Sequence, residues 1–277
     1  RFSFFFNSHC DLFEEVAKFR AARRVWSKLV REDFKASDPR SWKMRIHIQT
    51  AGSSLTSGQP NNNIVRVAYQ ALAAVLGGTQ SLHTNAYDEA LSLPTEEAAG
   101  MALKTQQILA HETGVTQVAD PLGGSWYVEM LTRRLEEESL EYLRTIREMG
   151  GVLACIENGF IKKEIQDAAY AEQQRMETGN KTVVGVNRYR ADTNDPIEIH
   201  RPDPGVESYQ IRRLEHVLNN RDQSKVSQCL DRVRSVAVSS GNLMDPIIEA
   251  MESLATVGEV SNALRDVFGE HLDTAPF

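Results

Sequence analysis

The sequence predicts an α/β fold in which a parallel sheet with helices outside it is followed by a mainly helical region. Over residues 1–114, three segments of strand length alternate with three helical segments. Strands that alternate with helices in this way form parallel sheets. Beyond residue 114 the pattern is helical almost throughout. We therefore predict two regions, residues 1–114 and residues 115–277.

The elements of the first region follow from periodicity and from capping residues. Apolar runs and two-residue alternation predict strands at residues 2–6, 44–50 and 79–85. Stripes of apolar residues with a helical period predict helices at 11–33, 64–76 and 96–114. The second helix stops at Gly77 and Gly78, which suit a C-cap, and Thr95 is placed to cap the third.

The second region opens with a loop at 119–126 and continues with a series of helices. We predict them at 127–148, 160–177, 206–219, 222–238, 243–254 and 258–268. A strand-like piece at 182–187 and a Pro- and Asp-rich surface stretch at 188–205 interrupt the series.

Two of the predicted strands have an unusual polar face. In strand 44–50, three apolar residues alternate with Arg45, His47 and Gln49, and strand 79–85 places four polar residues on one side: Thr79, Ser81, His83 and Asn85. An ordinary (β/α)8 barrel fills its axis with Val, Ile and Leu. Burying these polar groups without partners would cost about a few kcal/mol each, whereas a long polar ligand along the axis would satisfy them. The alternative is that the polar sides face solvent at an open sheet edge.

Three parallel strands cannot close a barrel, so the remaining strands must come from elsewhere. The chain also begins at Arg1, inside a strand-like run and without an initiator Met. We expect a fragment, a split subunit or the ordered part of a longer polypeptide.

Composition disfavours several other classes of protein. The formal net charge is −7 with both signs interspersed, whereas nucleic-acid binding needs a basic patch. No apolar stretch reaches the roughly 18 residues of a membrane span. The three cysteines are far apart, show no metal-binding spacing, and indicate buried or inert thiols in a reducing compartment. We expect the protein in the cytoplasm, or in the mitochondrial matrix if its source is eukaryotic.

Several long motifs resemble one enzyme family in their order and content. They are QTAGSSLT at 49–56, GGTQSLHTNAYDEALSLPT at 77–95, VADPLGGSWYVE at 118–129 and VVGVNRY at 183–189. Along essentially its whole length, the chain resembles the large subunit of the adenosylcobalamin-dependent acyl-CoA mutases, the methylmalonyl-CoA and isobutyryl-CoA mutase family.

The resemblance implies the later part of a (β/α)8 TIM barrel followed by a mainly helical C-terminal region. It implies a radical isomerase that rearranges the carbon skeleton of an acyl-CoA of the methylmalonyl, isobutyryl or 2-hydroxyisobutyryl type. The CoA arm would pass along the barrel axis, in agreement with the polar strands. The implied partners are the N-terminal half of the barrel, a cobalamin-binding domain or small subunit, and further subunits in an oligomer.

The resemblance also implies the residues that contact the substrate, which are Arg1, Ser3, Arg45, His47, Gln80 and Ser81. A guanidinium at Arg1 can pair with a CoA phosphate, although a terminal surface arginine is the simpler alternative. His47 could equally be a structural histidine. Gln80 and Ser81 match the last barrel strand near the CoA arm, and their alternative role is to tether the backbone.

The residues implied to contact the cofactor are Gln49, Gly52, Glu89 and Ser92. Gly52 matches a glycine that the corrin ring approaches closely, and a turn glycine is the alternative. Glu89 matches a carboxylate that accepts hydroxyl hydrogen bonds from the adenosyl group, and a helix N-terminal carboxylate is the alternative. Ser92 occupies a position that is often Ala in the family.

The chain departs from the family pattern in two respects. Ser53 stands where the methylmalonyl-CoA enzymes typically have Trp, and this weakens an assignment to that substrate. No D-x-H-x-x-G motif occurs, so the cobalt ligand is expected outside this chain and no metal ligand is assigned.

Two other functions remain open at this stage. The first is a non-catalytic binding or assembly subunit of a cobalamin-dependent complex. The second is an unrelated (β/α)8 lyase or aldolase with His47 and Glu89 as an acid–base pair.

Overall fold

The computed structural model describes residues 2–191, 197–239 and 241–271, which fall into two compact units. The first unit extends to Arg201 and the second begins at Pro202. The predicted division after residue 114 lies inside the first unit, and as a statement about domain function it stays a prediction.

The first unit contains a parallel sheet of three strands in the order β1-β2-β3, which confirms the predicted α/β class. The strands are β1 (Phe4–Ser8), β2 (Ile46–Thr50) and β3 (Ser81–His83). We predicted that β1 would end at residue 6, because residues 2–6 form a short apolar run. That bound is wrong, because Ser8 pairs with Thr50 and its buried hydroxyl donates to the Gln70 carbonyl at 2.8 Å.

Six α-helices belong to the described part of the first unit. They are α1 (Leu12–Glu32), α2 (Asn62–Leu76), α3 (Glu96–Glu112), α4 (Trp126–Glu148), α5 (Val152–Glu157) and α6 (Phe160–Glu177). Short 3₁₀ helices occur at Pro39–Trp42 and Gly52–Ser54. The Thr95 hydroxyl accepts from the Ala98 N–H at 3.2 Å, as predicted for a cap. We did not predict α5, which is only six residues long. The strand-like piece at 182–187 is not a strand, and its pairing is an isolated bridge between Val184 and Arg188.

The outer face of the sheet forms the apolar core beneath α1 and α2. Ile46 and Ile48 are buried there against Phe19 and Ala74. Gly77 is required at the end of α2, because a Cβ at this position would lie 2.6 Å from the Phe19 ring. The helices therefore cover the apolar side of each strand, and the polar residues point to the opposite side.

The second unit, as far as it is described, consists of four helices. They are α7 (Gly205–Asn220), α8 (Gln223–Val238), α9 (Met244–Glu252) and α10 (Val257–Phe268). Val226, Val233 and Ala263 belong to the core that α8, α9 and α10 share. The Arg221 guanidinium binds the Glu259 carboxylate, and Glu259 also completes a capping box with Thr256. In the described ranges, no helix combines the length and the apolar character that crossing a membrane requires.

Candidate functional site

The polar residues of the three strands share one face of the sheet, as strand register requires. In parallel pairing, Phe5 lies opposite His47, and His47 lies opposite Ser81. One step further along, Gln49 lies opposite His83. Paired residues point to the same side, so these side chains form a single surface, which we call the inner face. No described residue packs over it to make a second core layer, and Phe5, Ser81 and His83 are exposed.

The middle of the inner face contains a histidine held by its neighbours. His47 Nδ1 lies 2.7 Å from the Ser81 hydroxyl, and the Phe5 ring packs against the imidazole at 4.8 Å between ring centroids. These contacts fix the orientation of the ring, and no described residue hydrogen-bonds its other nitrogen. The structure thus brings together His47 and Ser81, which were both predicted to contact the substrate.

The carboxyl ends of β2 and β3 bring three predicted cofactor residues together. The Gln49 amide donates to Asn85 Oδ1 at 2.8 Å, and Asn85 Nδ2 donates to the Thr50 carbonyl at 3.0 Å. A Cβ added at Gly52 would lie 3.0 Å from Asn85 Nδ2 and 3.4 Å from Glu89 Oε1. Gly52 therefore lies directly against the side chains of Asn85 and Glu89, and Gln49 joins the cluster through its hydrogen bond to Asn85.

Asn85 is a residue of this cluster that our site prediction omitted. It is 1 % exposed, and its backbone N–H donates to the Thr50 hydroxyl at 2.9 Å. The signal was available in the sequence, since the two-residue period already placed Asn85 on the polar side of strand 79–85. The omission arose because the strand itself ends at His83, and what Asn85 contacts depends on the turn that follows.

A turn after β3 presents the Glu89 carboxylate. The buried Asp88 carboxylate accepts from the Thr95 N–H at 2.9 Å, which fixes the start of α3 relative to this turn. Among the described residues, none donates a hydrogen bond to the exposed Glu89 carboxylate. Glu89 therefore keeps its acceptor capacity, in contrast to the paired amides of Gln49 and Asn85.

The other predicted residues lie away from this cluster. The Gln80 side chain accepts from the Ile46 N–H at 2.8 Å and donates to the Gly78 carbonyl at 2.8 Å, which is the tethering alternative. The Ser92 hydroxyl donates to the Leu93 carbonyl at 2.8 Å. Ser3 is exposed, and the prediction for Arg1 lies outside the described residues.

Arg45 lies at the amino end of the sheet, beside a cavity. The cavity measures about 690 Å³, and its lining includes Phe2, Phe4, Trp26, Phe34, Arg40, Lys43 and Arg45. Aromatic rings thus lie beside Arg45 and Lys43, and the third cation, Arg40, is paired with Asp38, which also lines the cavity. This combination can contact a flat ring system and a phosphate at the same time.

The described cysteines differ in their surroundings. Cys155 is buried, whereas Cys10 is exposed, so burial is wrong for Cys10, and the alternative that its thiol is inert stays a prediction. Burial disfavours the Cys10 thiolate, but contacts with His9 and Gln70 outweigh it and lower the pKa of Cys10. In the part of the chain that the structure describes, no three His, Cys, Asp or Glu side chains are grouped to hold a metal ion.

Fold and site together define a parallel α/β protein whose sheet carries an apolar outer face and a polar, accessible inner face. Comparison with known sequences identifies the family to which the chain belongs. The model of the methylmalonyl-CoA mutase family matches residues 1–270, and the chain belongs to this family.

Curated relatives match the chain along its whole length. It is 47 % identical to the 2-hydroxyisobutanoyl-CoA mutase large subunit of Aquincola tertiaricarbonis, over 100 % of this chain and 50 % of that protein. It is 44 % identical to the methylmalonyl-CoA mutase of Rhizobium meliloti (strain 1021), over 98 % of this chain and 38 % of that protein. It is 42 % identical to the mitochondrial methylmalonyl-CoA mutase of Mus musculus, over 98 % of this chain and 36 % of that protein. The chain thus spans half or less of these relatives.

Proposed function

We propose that the chain supplies the later strands of a (β/α)8 barrel in an adenosylcobalamin-dependent acyl-CoA mutase. The observation that carries this proposal is the inner face: a largely polar, accessible surface on a sheet whose other side packs beneath helices. A sheet of three strands with this division is suited to be one wall of a tunnel, and the missing strands would come from the remainder of the protein.

The amino end of the sheet is the side at which we place the nucleotide end of the CoA. Arg45 and Lys43 line a cavity with aromatic walls, and their charges complement the CoA phosphates, whereas Arg40 in the same lining is paired with Asp38. Ser3 and Arg1 would extend this binding surface at the start of β1. From there the pantetheine arm would follow the inner face past Ser81 and His47.

The carboxyl end of the sheet is the side at which we place the cofactor. The absence of a side chain at Gly52 leaves a shallow recess beside Asn85 and Glu89, which a Cβ would fill. This recess fits a flat ring that approaches the backbone. The Glu89 carboxylate, to which no described residue donates a hydrogen bond, fits the hydroxyl groups of an adenosyl ribose. When bound, adenosylcobalamin supplies homolytic cleavage of a cobalt–carbon bond and hence radical chemistry.

The residues of this chain have positioning roles in the rearrangement. His47, held by Ser81 and Phe5, would donate to or accept from the acyl part of the substrate without turning. Gln49, fixed by Asn85, and Glu89 would orient the cofactor above it. The inner face excludes water from the tunnel only when the barrel is closed, so we expect activity only with the N-terminal barrel half and a cobalamin domain or small subunit present.

The test is turnover by the intact complex with adenosylcobalamin and a panel of acyl-CoAs, with isomerised products identified by mass spectrometry. The panel includes methylmalonyl-CoA, isobutyryl-CoA and 2-hydroxyisobutyryl-CoA. Glu89→Gln should weaken cofactor binding, while Glu112→Gln, an exposed glutamate at the far end of α3, should leave it unchanged. Cofactor binding without turnover on any substrate would support a non-catalytic subunit instead, and absence of both would refute the proposal.

A further inference from the structure

Asn63, in the first turn of α2, makes four side-chain hydrogen bonds while it is completely buried. Its Nδ2 donates to the Thr56 carbonyl at 2.9 Å and to the Tyr87 carbonyl at 2.8 Å. Its Oδ1 accepts from the Thr56 N–H at 3.1 Å and from Arg66 Nη1 at 2.7 Å. Thr56 and Tyr87 belong to two other segments of the first unit, and Arg66 belongs to α2 itself.

The orientation of the Asn63 amide is fixed by its partners. The Thr56 N–H can only donate, and the two carbonyl oxygens can only accept, so a rotated amide would face like groups on every side. The two N–H groups and both acceptor positions are used. Asn63 therefore has no capacity left for a ligand, and any part that it plays in function must act through the residues it holds.

Those residues belong to the two segments that form the predicted cofactor end of the site. Thr56 lies in the loop after β2, four positions beyond Gly52, and Tyr87 lies two positions before Glu89. The structure ties the loop and the turn to each other through one side chain. A shift in either segment would change the recess beside Gly52, where Glu89 Oε1 lies 3.4 Å from the position of a Cβ.

Arg66 extends the same connection to a third segment. Its Nη1 also donates to the Thr56 hydroxyl at 3.0 Å, and its Nη2 donates to the Val184 carbonyl at 2.6 Å. The loop that contains the VVGVNRY motif is thereby held beside the loop after β2. One amide and one guanidinium thus make hydrogen bonds to all three segments.

We propose that Asn63 is a positioning residue, which sets the spacing between Gly52 and Glu89 and so the shape of the cofactor recess. This inference rests on the proposed function, since it names the recess as the cofactor's. It concerns a residue that lies outside the set predicted to touch any ligand.

The experiment compares Asn63→Asp with Asn61→Asp in the intact complex. Both changes are nearly isosteric and add one negative charge, but Asn61 is exposed and makes no capping bond from its side chain. At Asn63, the new oxygen would face the Thr56 and Tyr87 carbonyl oxygens and replace two attractive contacts by repulsion. We expect the Kd for adenosylcobalamin, titrated by absorbance, to rise about tenfold or more in Asn63→Asp only.

A general structural role would give a different pattern. Positioning predicts that the Kd for the acyl-CoA stays within about twofold of the unaltered complex while cofactor binding weakens. Loss of both ligands in parallel with a large fall in Tm would overturn the proposal, as would cofactor binding equal to that of Asn61→Asp. If Asn63→Asp does not fold, Asn63→Ser replaces it under the same criteria. A serine adds no charge and can keep a hydrogen bond to at most one of the two segments. Failure of both to fold would make Asn63 structural and refute positioning.

The two levels of inference fail separately in this design. If the unaltered complex does not bind adenosylcobalamin, the proposed function fails first. If it binds the cofactor and Asn63→Asp binds it equally well, the proposed function stands and only the inference about Asn63 is refuted.

Discussion

Replacing Gly52 by alanine adds a single methyl group at the carboxyl end of β2. Gly52 does not have a positive φ, so an alanine can adopt its backbone conformation without strain. The effect must therefore come from contacts of the new Cβ, which would lie 3.0 Å from Asn85 Nδ2 and 3.4 Å from Glu89 Oε1. The first distance is too short for an ordinary contact, so Asn85 has to move.

Asn85 cannot move freely, because three hydrogen bonds hold it in a buried position. They join it to the Thr50 carbonyl, the Thr50 hydroxyl and the Gln49 amide. Loss of one such bond costs about 0.5–1.5 kcal/mol, and crowding in a packed site costs about 1–3 kcal/mol. Since Glu89 can swing away at little cost, we expect Gly52→Ala to lower the free energy of unfolding by about 1–2 kcal/mol. In the cofactor recess the same displacement should weaken adenosylcobalamin binding about tenfold.

Thermal unfolding and cofactor titration of the intact complex measure these two effects. Gly58→Ala in the same loop is the matched control, because its Cβ would have the Gly185 carbonyl at an ordinary 3.5 Å as its nearest neighbour. We expect Gly58→Ala to change neither quantity appreciably. If Gly52→Ala and Gly58→Ala unfold at the same temperature and bind the cofactor equally, the reasoning from close contact at Gly52 is wrong.

Three further predictions concern stability and reactivity. The Arg221 guanidinium lowers the pKa of Glu259 to about 2 from an ordinary 4.5, so the stabilisation is present above pH 4.5 and is lost as the pH falls towards 2. Glu259→Gln should therefore lower the free energy of unfolding by about 1–2 kcal/mol at neutral pH, after allowance for solvent screening, and by nearly nothing near pH 2. Chemical denaturation across this pH range measures the difference. A loss that does not change with pH would contradict the prediction. Because Cys10 is exposed and its pKa is lowered, iodoacetamide should alkylate Cys10 at neutral pH well before the buried Cys155. Peptide mass spectrometry measures the two alkylation rates, and equal rates would refute the prediction. Gly100 lies within α3 with open space at its Cβ position, so Gly100→Ala should raise the unfolding free energy by about 0.5–1 kcal/mol, and a lowered Tm would contradict it.

Local signals in the sequence were sufficient to predict most of the elements. The alternation in strand 44–50 predicted which side chains would be buried, and Ile46 and Ile48 are indeed in the core. Thr95 was recognised as a cap because an N-cap bond involves residues only three positions apart. Such features depend on the neighbouring chain and need no knowledge of the fold.

Contacts between distant segments could not be predicted in the same way. Gln80 was placed beside the CoA arm, yet its amide bonds to the backbone of β2, 34 positions away. Asn63 looks like one of three equivalent asparagines at the start of α2, and only the folded chain shows that it is buried between Thr56 and Tyr87. Periodicity assigns a residue to a face, but it does not say which partner completes its hydrogen bonds.

The two faces of the sheet separate stability from function in physical terms. The outer face buries Ile48 and Phe19 completely, so it contributes its stabilisation whether or not a ligand is present. The inner face contributes little to the core, but its polar groups are already paired in part, as His47 with Ser81 and Gln49 with Asn85. Closing a barrel over this face would remove its water at a modest cost, since only the groups without protein partners would need a ligand. Since none of the described residues donates to the Glu89 carboxylate, the carboxyl end is where a bound molecule would gain most if a tunnel closed over this face.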